Sequence, residues 1–400
     1  MSWEKVCVKD VALGIFDGPH ATPPESDSGA IFLGIPNFVN GQLDLSNIRY
    51  ISEDDLPKWT KRVTPQENDI VFSYEATLNL YAIIPKGFRG CLGRRMALIR
   101  PDNEKINYKF LYYYFYSKAW RDIVSENTVL GATVDRIPLV KFPNFEIELP
   151  PMTIQNRIAG ILSSYDELIE NNQKQIKLLE EAAQRLYKEW FVDLCFPGHE
   201  TTPIIDGIPE GWKKDTVDSI ITLLSGFAFK SADFSDDGTY KIVTIKNVQD
   251  GMFDGHNVSR IVEVPDKMPK HCYLHDGDIL LSLTGNVGRV CMVNGSDYLL
   301  NQRVAKIKSN FPAFAYCLFR SNDMFIEMGN LANGAAQQNL SPIKTAQIKI
   351  LIPSADLFAR FEEIASVYMK QTLNLNKQIE LLQESRDRLL PKLMSGELEV

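Results

Sequence analysis

The chain contains one long element twice. Ile147-Glu148-Leu149-Pro150 aligns with Ile350-Leu351-Ile352-Pro353, and the match continues without a gap at an offset of 203. Arg157 falls on Arg360, Ile161 on Ile364, Ser163 on Ser366, Tyr165 on Tyr368 and Asn171 on Asn374. It is densest where Lys174-Gln175-Ile176-Lys177-Leu178-Leu179 meets Lys377-Gln378-Ile379-Glu380-Leu381-Leu382, and Arg185-Leu186 then meets Arg388-Leu389.

The repeated element reads as a helix with an apolar seam. In the first copy the seam is Ile154, Ile158, Ile161, Tyr165, Leu168, Ile176, Leu179, Ala183, Leu186 and Trp190. Leu357, Phe361, Ile364, Tyr368, Leu375, Ile379, Leu382, Leu389 and Leu393 keep the same phase in the second. Steps of three and four mark helices packed side by side, so the two copies are expected to pair. Asn172, Gln371 and Arg386 interrupt the seam, as residues that set register do. Pro150-Pro151 before Thr153, and Pro353-Ser354 before Asp356, give a proline stop followed by a capping residue. At about 1.5 Å per residue, an element of about forty residues spans roughly 60 Å.

A chain of 400 residues exceeds one core, so at least two domains are expected. No apolar run is long enough to span a bilayer, and Met1-Ser2-Trp3-Glu4-Lys5 carries no apolar signal region. Cys7, Cys91, Cys195, Cys272, Cys291 and Cys317 are scattered without a C-x-x-C pair, which fits a reducing cytoplasm and argues against zinc or a disulfide framework. A net charge of −8 disfavours nonspecific nucleic-acid binding, so any DNA contact must come from local basic patches.

In order, the chain reads globular segment, helix, globular segment, helix. The first segment has short strand-like runs at Ala30 to Leu33, Asp69 to Tyr74 and Leu80 to Ile84, then a helix-like piece from Tyr108 to Ile123. The second segment follows the break at Phe196-Pro197-Gly198 and copies the plan of the first weakly. Trp3-Glu4-Lys5 aligns with Trp212-Lys213-Lys214, Ile35-Pro36-Asn37 and Gly41 with Ile245-Lys246-Asn247 and Gly251, and Asp69-Ile70 and Ser73 with Asp278-Ile279 and Ser282. Arg95-Met96-Ala97 aligns with Arg303-Val304-Ala305, and each segment ends in a Gly-Ala turn, Gly131-Ala132 and Gly334-Ala335. Two modules of one fold with diverged sequences suggest that they recognise different things.

A duplicated variable domain with a repeated helix resembles the specificity subunit of type I restriction-modification enzymes. The resemblance covers the whole chain. It is carried also by Asp17-Gly18-Pro19-His20-Ala21-Thr22-Pro23, by Gly277 to Gly288 and by the proline-introduced helix with Lys174-Gln175-Ile176. It implies an α+β fold: two similar globular α/β target recognition domains separated by two long helices that form an antiparallel coiled coil, with an internal pseudo-twofold repeat. The expected divisions are a first recognition domain 1–149, a first spacer helix 150–198, a second recognition domain 199–352 and a second spacer helix 353–400.

The resemblance further implies that each domain reads one half of a bipartite double-stranded DNA target while the helices set the spacer. Two methyltransferase subunits would dock, with motor-endonuclease subunits joining the complex. The chain itself would be non-catalytic, cytoplasmic, off the membrane and free of cofactors, with S-adenosylmethionine, ATP and Mg on the partner subunits. Phe72-Ser73-Tyr74-Glu75-Ala76-Thr77 departs from the Ser-x-Thr-Gly pattern of the second module, so contacts are not expected to transfer one for one.

The sequence carries none of the catalytic motifs such a complex needs. Neither Pro23-Pro24 nor Pro150-Pro151 belongs to the Asn-Pro-Pro-aromatic motif of an adenine methyltransferase. There is no P-loop Gly-Lys-Ser/Thr. Pro101-Asp102 with Glu104 reads as a turn, not a nuclease metal site, and the histidines are unclustered. His20 caps a turn or touches DNA; His271 and His275 read as surface residues.

Candidate DNA contacts are loops where Arg, Lys, Asn, Gln, Ser and Thr cluster beside glycine, since such side chains grip phosphates or pair with base edges. In the first module they are Lys61, Arg62, Ser73, Tyr74, Thr77, Lys86, Arg89, Arg94 and Arg95. In the second they are Lys246, Asn247, Ser282, Thr284, Asn286, Arg289, Asn301, Gln302, Arg303, Gln337, Gln338 and Asn339. Tyr112-Tyr113-Tyr114 is expected to pack the core. Two other readings stay open: a two-module adaptor for protein partners, and a nuclease or methylase with an unrecognised site.

Overall fold

The computed structural model describes residues 3–131, 134–256, 258–332 and 338–400. The chain divides into two compact units, Met1–Glu167 with Leu382–Val400, and Leu168–Leu381. Each unit holds one α/β domain and stretches of both long helices, so the helix segments group by packing with the domains they touch.

In the first unit the strand Glu4–Cys7 pairs antiparallel with Glu146–Leu149, which leads into the first long helix. The central sheet is four-stranded and antiparallel, in the order Ala12–Asp17, Met96–Pro101, Ile70–Ser73, Tyr81–Ile83. Ile70–Ser73 is buried throughout, as a short apolar run between two partners must be. A smaller sheet sets Ala30–Leu33 between Arg49–Ile51 and, in parallel, Gly90–Leu92. The expected helix from Tyr108 is two helices, Tyr108–Tyr114 and Lys118–Asn127, because the Ser117 hydroxyl accepts from Trp120 N–H and starts a new one. Tyr112, Tyr113 and Tyr114 are buried as expected. At the chain ends, a Cβ on Gly396 would lie 3.4 Å from the Trp3 ring.

The second unit repeats this plan. Lys213–Thr216 pairs with Lys349–Ile352, and the central sheet runs Ile221–Ser225, Val304–Ser309, Ile279–Ser282, Val290–Met292. Tyr240–Val243 lies between Ser259–Ile261 and a parallel Tyr298–Leu300, with Tyr273–Leu274 added at the edge. The expected Gly-Ala turns include Ala132, Gly334 and Ala335, which lie outside the described residues.

The long helices are Met152–Tyr187, closed by a π-turn at Lys188–Val192, and Ala355–Met394. Within each unit they run antiparallel. Asp166 meets Arg386 at 2.6 Å in the first, and Asn172 Nδ2 donates to Gln378 Oε1 at 3.2 Å in the second. The polar interruptions at Asn172 and Arg386 therefore do meet the other helix. The third, Gln371, is exposed, and its neighbour Thr372 occupies the buried position instead.

The apolar seam needs the same correction in both copies. Leu162 and Ile169 are buried while Leu168 is about half exposed; Ala365 and Thr372 are buried while Ile364 is open to solvent. The buried stripe in these halves thus sits one residue later than a two-helix seam predicts. The reason is that the helix must also cover its own domain: Ile158, Ala159 and Leu162 share a core with Phe110 and Tyr114, and Leu357, Phe361 and Ala365 share one with Phe314. At the second helix start it is the Ser354 hydroxyl that accepts from Leu357 N–H, rather than a group on Asp356.

Each domain is tied to the helices through a tyrosine, by different charges. Tyr113 donates its hydroxyl to Asp166 at 2.5 Å, the carboxylate that also holds Arg386. Tyr316, 203 positions later, donates to Glu180 at 2.9 Å, and Glu180 pairs with Arg320 from the domain itself.

Candidate nucleic-acid interface

The central sheets place one strand end of each module in the same backbone frame. In the first module, Tyr74 N–H donates to Arg95 O at 3.1 Å, Ile137 N–H to Tyr74 O at 2.7 Å, and Ala76 N–H to Asp135 O at 3.0 Å. In the second, Leu283 N–H donates to Arg303 O at 3.0 Å, Leu340 N–H to Leu283 O at 2.7 Å, and Gly285 N–H to Gln338 O at 3.2 Å. Gly18 and Gly226 donate to Met96 O and Val304 O, and the isolated bridges Glu75–Arg136 and Thr284–Asn339 coincide. The loops from Ser73 to Leu80 and from Ser282 to Arg289 are equally long, each closed by Ser N–H to the far carbonyl.

The departure noted at Ala76 therefore leaves the turn intact. Ala76 has φ 70° where Gly285 has φ 71°, so an alanine takes a left-handed conformation that glycine adopts without strain. The frame pairs Glu75 with Thr284, Asp135 with Gln338, Arg136 with Asn339 and Arg95 with Arg303. Asp135 and Arg136 are residues that the sequence reading missed, and Glu75 and Asp17 lay within quoted stretches without being singled out. Their signal was positional: all flank the repeated strand ends.

In the second module the frame gathers most of the expected contacts. Thr284, Gln302, Arg303 and Asn339 line one depression with Ser225, Leu283 and Ser341. Gln302, Arg303, Gln338 and Asn339 are exposed and Asn301 is partly buried. Arg289 is partly buried and donates to Gln249 Oε1, and Gln249 Nε2 donates to Lys246 O at 2.7 Å, so Arg289 and Lys246 belong to one ledge beside exposed Asn286. Ser282 is buried and braces the loop: its hydroxyl donates to Asn286 O at 2.5 Å and accepts from Arg289 N–H at 3.0 Å. Gln337 lies outside the described residues.

Asn247 must be removed from the contact surface. It is buried, its Oδ1 accepts from Thr244 N–H at 2.8 Å, and its Nδ2 donates to Asp254 O at 2.8 Å. Asn37 does the same with Gly34 N–H and Asp44 O, so the matched Asn pair is a turn clamp.

In the first module Arg62, Tyr74, Thr77, Arg94 and Arg95 share the strand end. Arg62 pairs with Asp17 at 2.5 Å and donates to Gly18 O; His20 lies 3.1 Å from the same carboxylate. Arg95 Nε lies 3.4 Å from Glu75. Lys61, Thr77 and Arg94 are exposed, with no ion pair among the described residues. Tyr74 is buried, and burial first, then the charges of Asp17 and Glu75, raise its hydroxyl above the ordinary value. Ser73 is fully buried, and its hydroxyl has no partner among the described residues.

Lys86 and Arg89 do not join this group. The strands Tyr81–Ile83 and Gly90–Leu92 run away from and back to the strand end, placing the turn between them at the far end, beside Asp69. There Arg89 Nε pairs with Glu53 at 3.1 and 3.2 Å, and that pairing raises Arg89 and lowers Glu53. His271 bonds Ser225 O at 2.9 Å, and Asp102 and Lys105 close the expected turn.

The same strand-end frame thus occurs twice, with two sets of side chains. The chain matches the type I restriction modification DNA specificity domain over residues 2–181 and again over 209–381, most of its length. The chain belongs to that family. Among its relatives is the MjaIX specificity subunit of Methanocaldococcus jannaschii, 26% identical over 89% of this chain and 85% of that one. The HindI specificity subunit of Haemophilus influenzae is 20% identical over 92% and 94%. The crystal structure of a type I restriction-modification S subunit from M. genitalium has the same fold, with TM-score 0.58, 16% identity, and coverage of 98% of this chain and 96% of that one. In this type I specificity chain no described helix is long and apolar enough to cross a membrane.

Proposed function

We propose that this chain is the DNA-recognition subunit of a type I restriction-modification complex, each strand-end frame reading one half of a split target. The observation that carries this is the frame itself: the same backbone bonds recur, while Glu75, Asp135 and Arg136 stand where Thr284, Gln338 and Asn339 stand. Conserved scaffolding with exchanged hydrogen-bonding edges suits base readout, because phosphate contacts position a protein and base-edge contacts specify the sequence. The long helices act as the ruler between half-sites and as the seat of two methyltransferase subunits, through which motor-endonuclease subunits join. The chain is non-catalytic and acts in the cytoplasm; S-adenosylmethionine, ATP and Mg belong to its partners. Exchanging Met1 to Leu149 for the corresponding domain of a relative tests this reading. Methylation mapping should then show one half of the motif changed and the other kept; a change in both halves would overturn independent modules.

A further inference from the structure

We propose that Arg95 reads a guanine in the half-site of the first module, with Glu75 as its positioning residue, and that Arg303 at the equivalent place grips phosphate instead. This rests on the DNA-reading function above and assigns its contacts.

Three observations separate the two arginines. First, Arg95 faces Glu75 through Nε at 3.4 Å, which leaves both Nη groups outside every hydrogen bond among the described residues. The Arg95 side chain is 37% exposed against 27% for Glu75, with Arg95 Nε buried between them. A guanidinium whose Nη groups are unengaged presents the paired donors that guanine O6 and N7 accept, with the Glu75 charge beside Nε orienting it. The same carboxylate cancels much of the charge a phosphate would seek.

Second, Thr284 replaces Glu75 in the second frame, and Arg303 has no ion pair among the described residues. Its charge is uncompensated and its head is exposed, which suits a phosphate. Third, Arg95 holds φ 68°, in the left-handed region that disfavours a side chain, whereas Arg303 is not among the positive-φ residues. Strain retained at a half-buried arginine points to a side chain the site needs.

The full chain, assembled with its methyltransferase subunits, is the test. Arg95→Ala and Arg95→Lys should each relax one G·C position in the half-motif assigned to Met1–Leu149. Affinity for the cognate duplex should fall roughly tenfold to a hundredfold, with little change on a duplex already lacking that pair. Arg95→Gly should show the same relaxed motif with a melting temperature no lower than the parent, since glycine removes the strain. Glu75→Gln should relax the same position more weakly. Arg303→Ala should weaken all duplexes alike and reduce the slope of log affinity against log salt by about 1. An unchanged motif with Arg95→Ala, relaxation at an A·T pair, or relaxation in the other half would overturn the assignment. If the parent complex modified no split motif, the DNA-reading function would fail first, and separately.

Discussion

Asp166 and Arg386 meet at 2.6 Å across the two long helices, and Tyr113 donates to the same carboxylate. Burial pulls the Arg386 guanidinium down, but the hydrogen bond and charge of Asp166 outweigh it and hold it above the ordinary value. Arg386→Ala strips a half-buried carboxylate of its cation and should cost about 2 kcal/mol of unfolding free energy. Urea titration of the full chain measures it; the double variant Asp166→Asn with Arg386→Met should recover part of the loss.

The Asn pair predicts stability without specificity. Asn37→Ala or Asn247→Ala leaves turn amides and carbonyls without their partners, and each should cost about 1–3 kcal/mol. Methylation motifs from variants that still fold should stay unchanged. A shifted motif in Asn247→Ala would return that residue to the contact surface.

The two left-handed turns behave oppositely on substitution. Gly285→Ala should destabilise by about 1 kcal/mol, because the position is left-handed and a Cβ would sit 3.2 Å from Ile245 Cδ1. Ala76→Gly should be neutral or slightly stabilising. Thermal melts of the pair, compared with the parent, decide this.

A pH response should come from Glu362. Burial raises its carboxyl above the ordinary value, and the amides of Ala313 and Phe314 only partly reverse this. A raised carboxyl favours the protonated folded state, so its stabilising effect is full below the unfolded value near 4.5 and is lost as pH rises through the folded one. The melting temperature of Glu362→Gln minus that of the parent should therefore increase between about pH 4 and pH 7.

The helix pair as ruler makes a geometric prediction. Duplicating Leu179 to Ala182 adds about 6 Å of helix, against about 3.4 Å per base pair. The unread spacer should lengthen by one or two base pairs with both half-motifs kept, at reduced activity, because the unlengthened partner helix must slip or leave an unpaired overhang. A folded variant active on the parental spacer alone would refute the ruler.

The repeat was readable because a gapless offset survives in the helices, and with it came the strands and the buried tyrosines. The seam phase was misread at Leu162, Ile169, Ala365 and Thr372 for a physical reason: helical spacing identifies an apolar face, but cannot tell one partner from two. Loop composition singled out Arg95, Arg303 and Gln338, which lie in the two strand-end frames. It also swept in Asn247 and Arg89, since an amide that clamps a turn and an arginine bound to Glu53 look, in sequence, like DNA contacts. Glu75 was not singled out within its loop because an acidic residue is a poor candidate until strand register seats it beside a cation, here Arg95.

Trp3 lies against Gly396, and the tail that follows packs into the same core as the opening strand. The opening strand and the last residues of the second long helix are therefore neighbours. Were they joined by a short linker and the chain reopened in a surface loop, the contacts of the first unit could persist while the linear order of the genes' coding blocks changed. Module order along the chain is in this sense separable from the arrangement that the fold maintains.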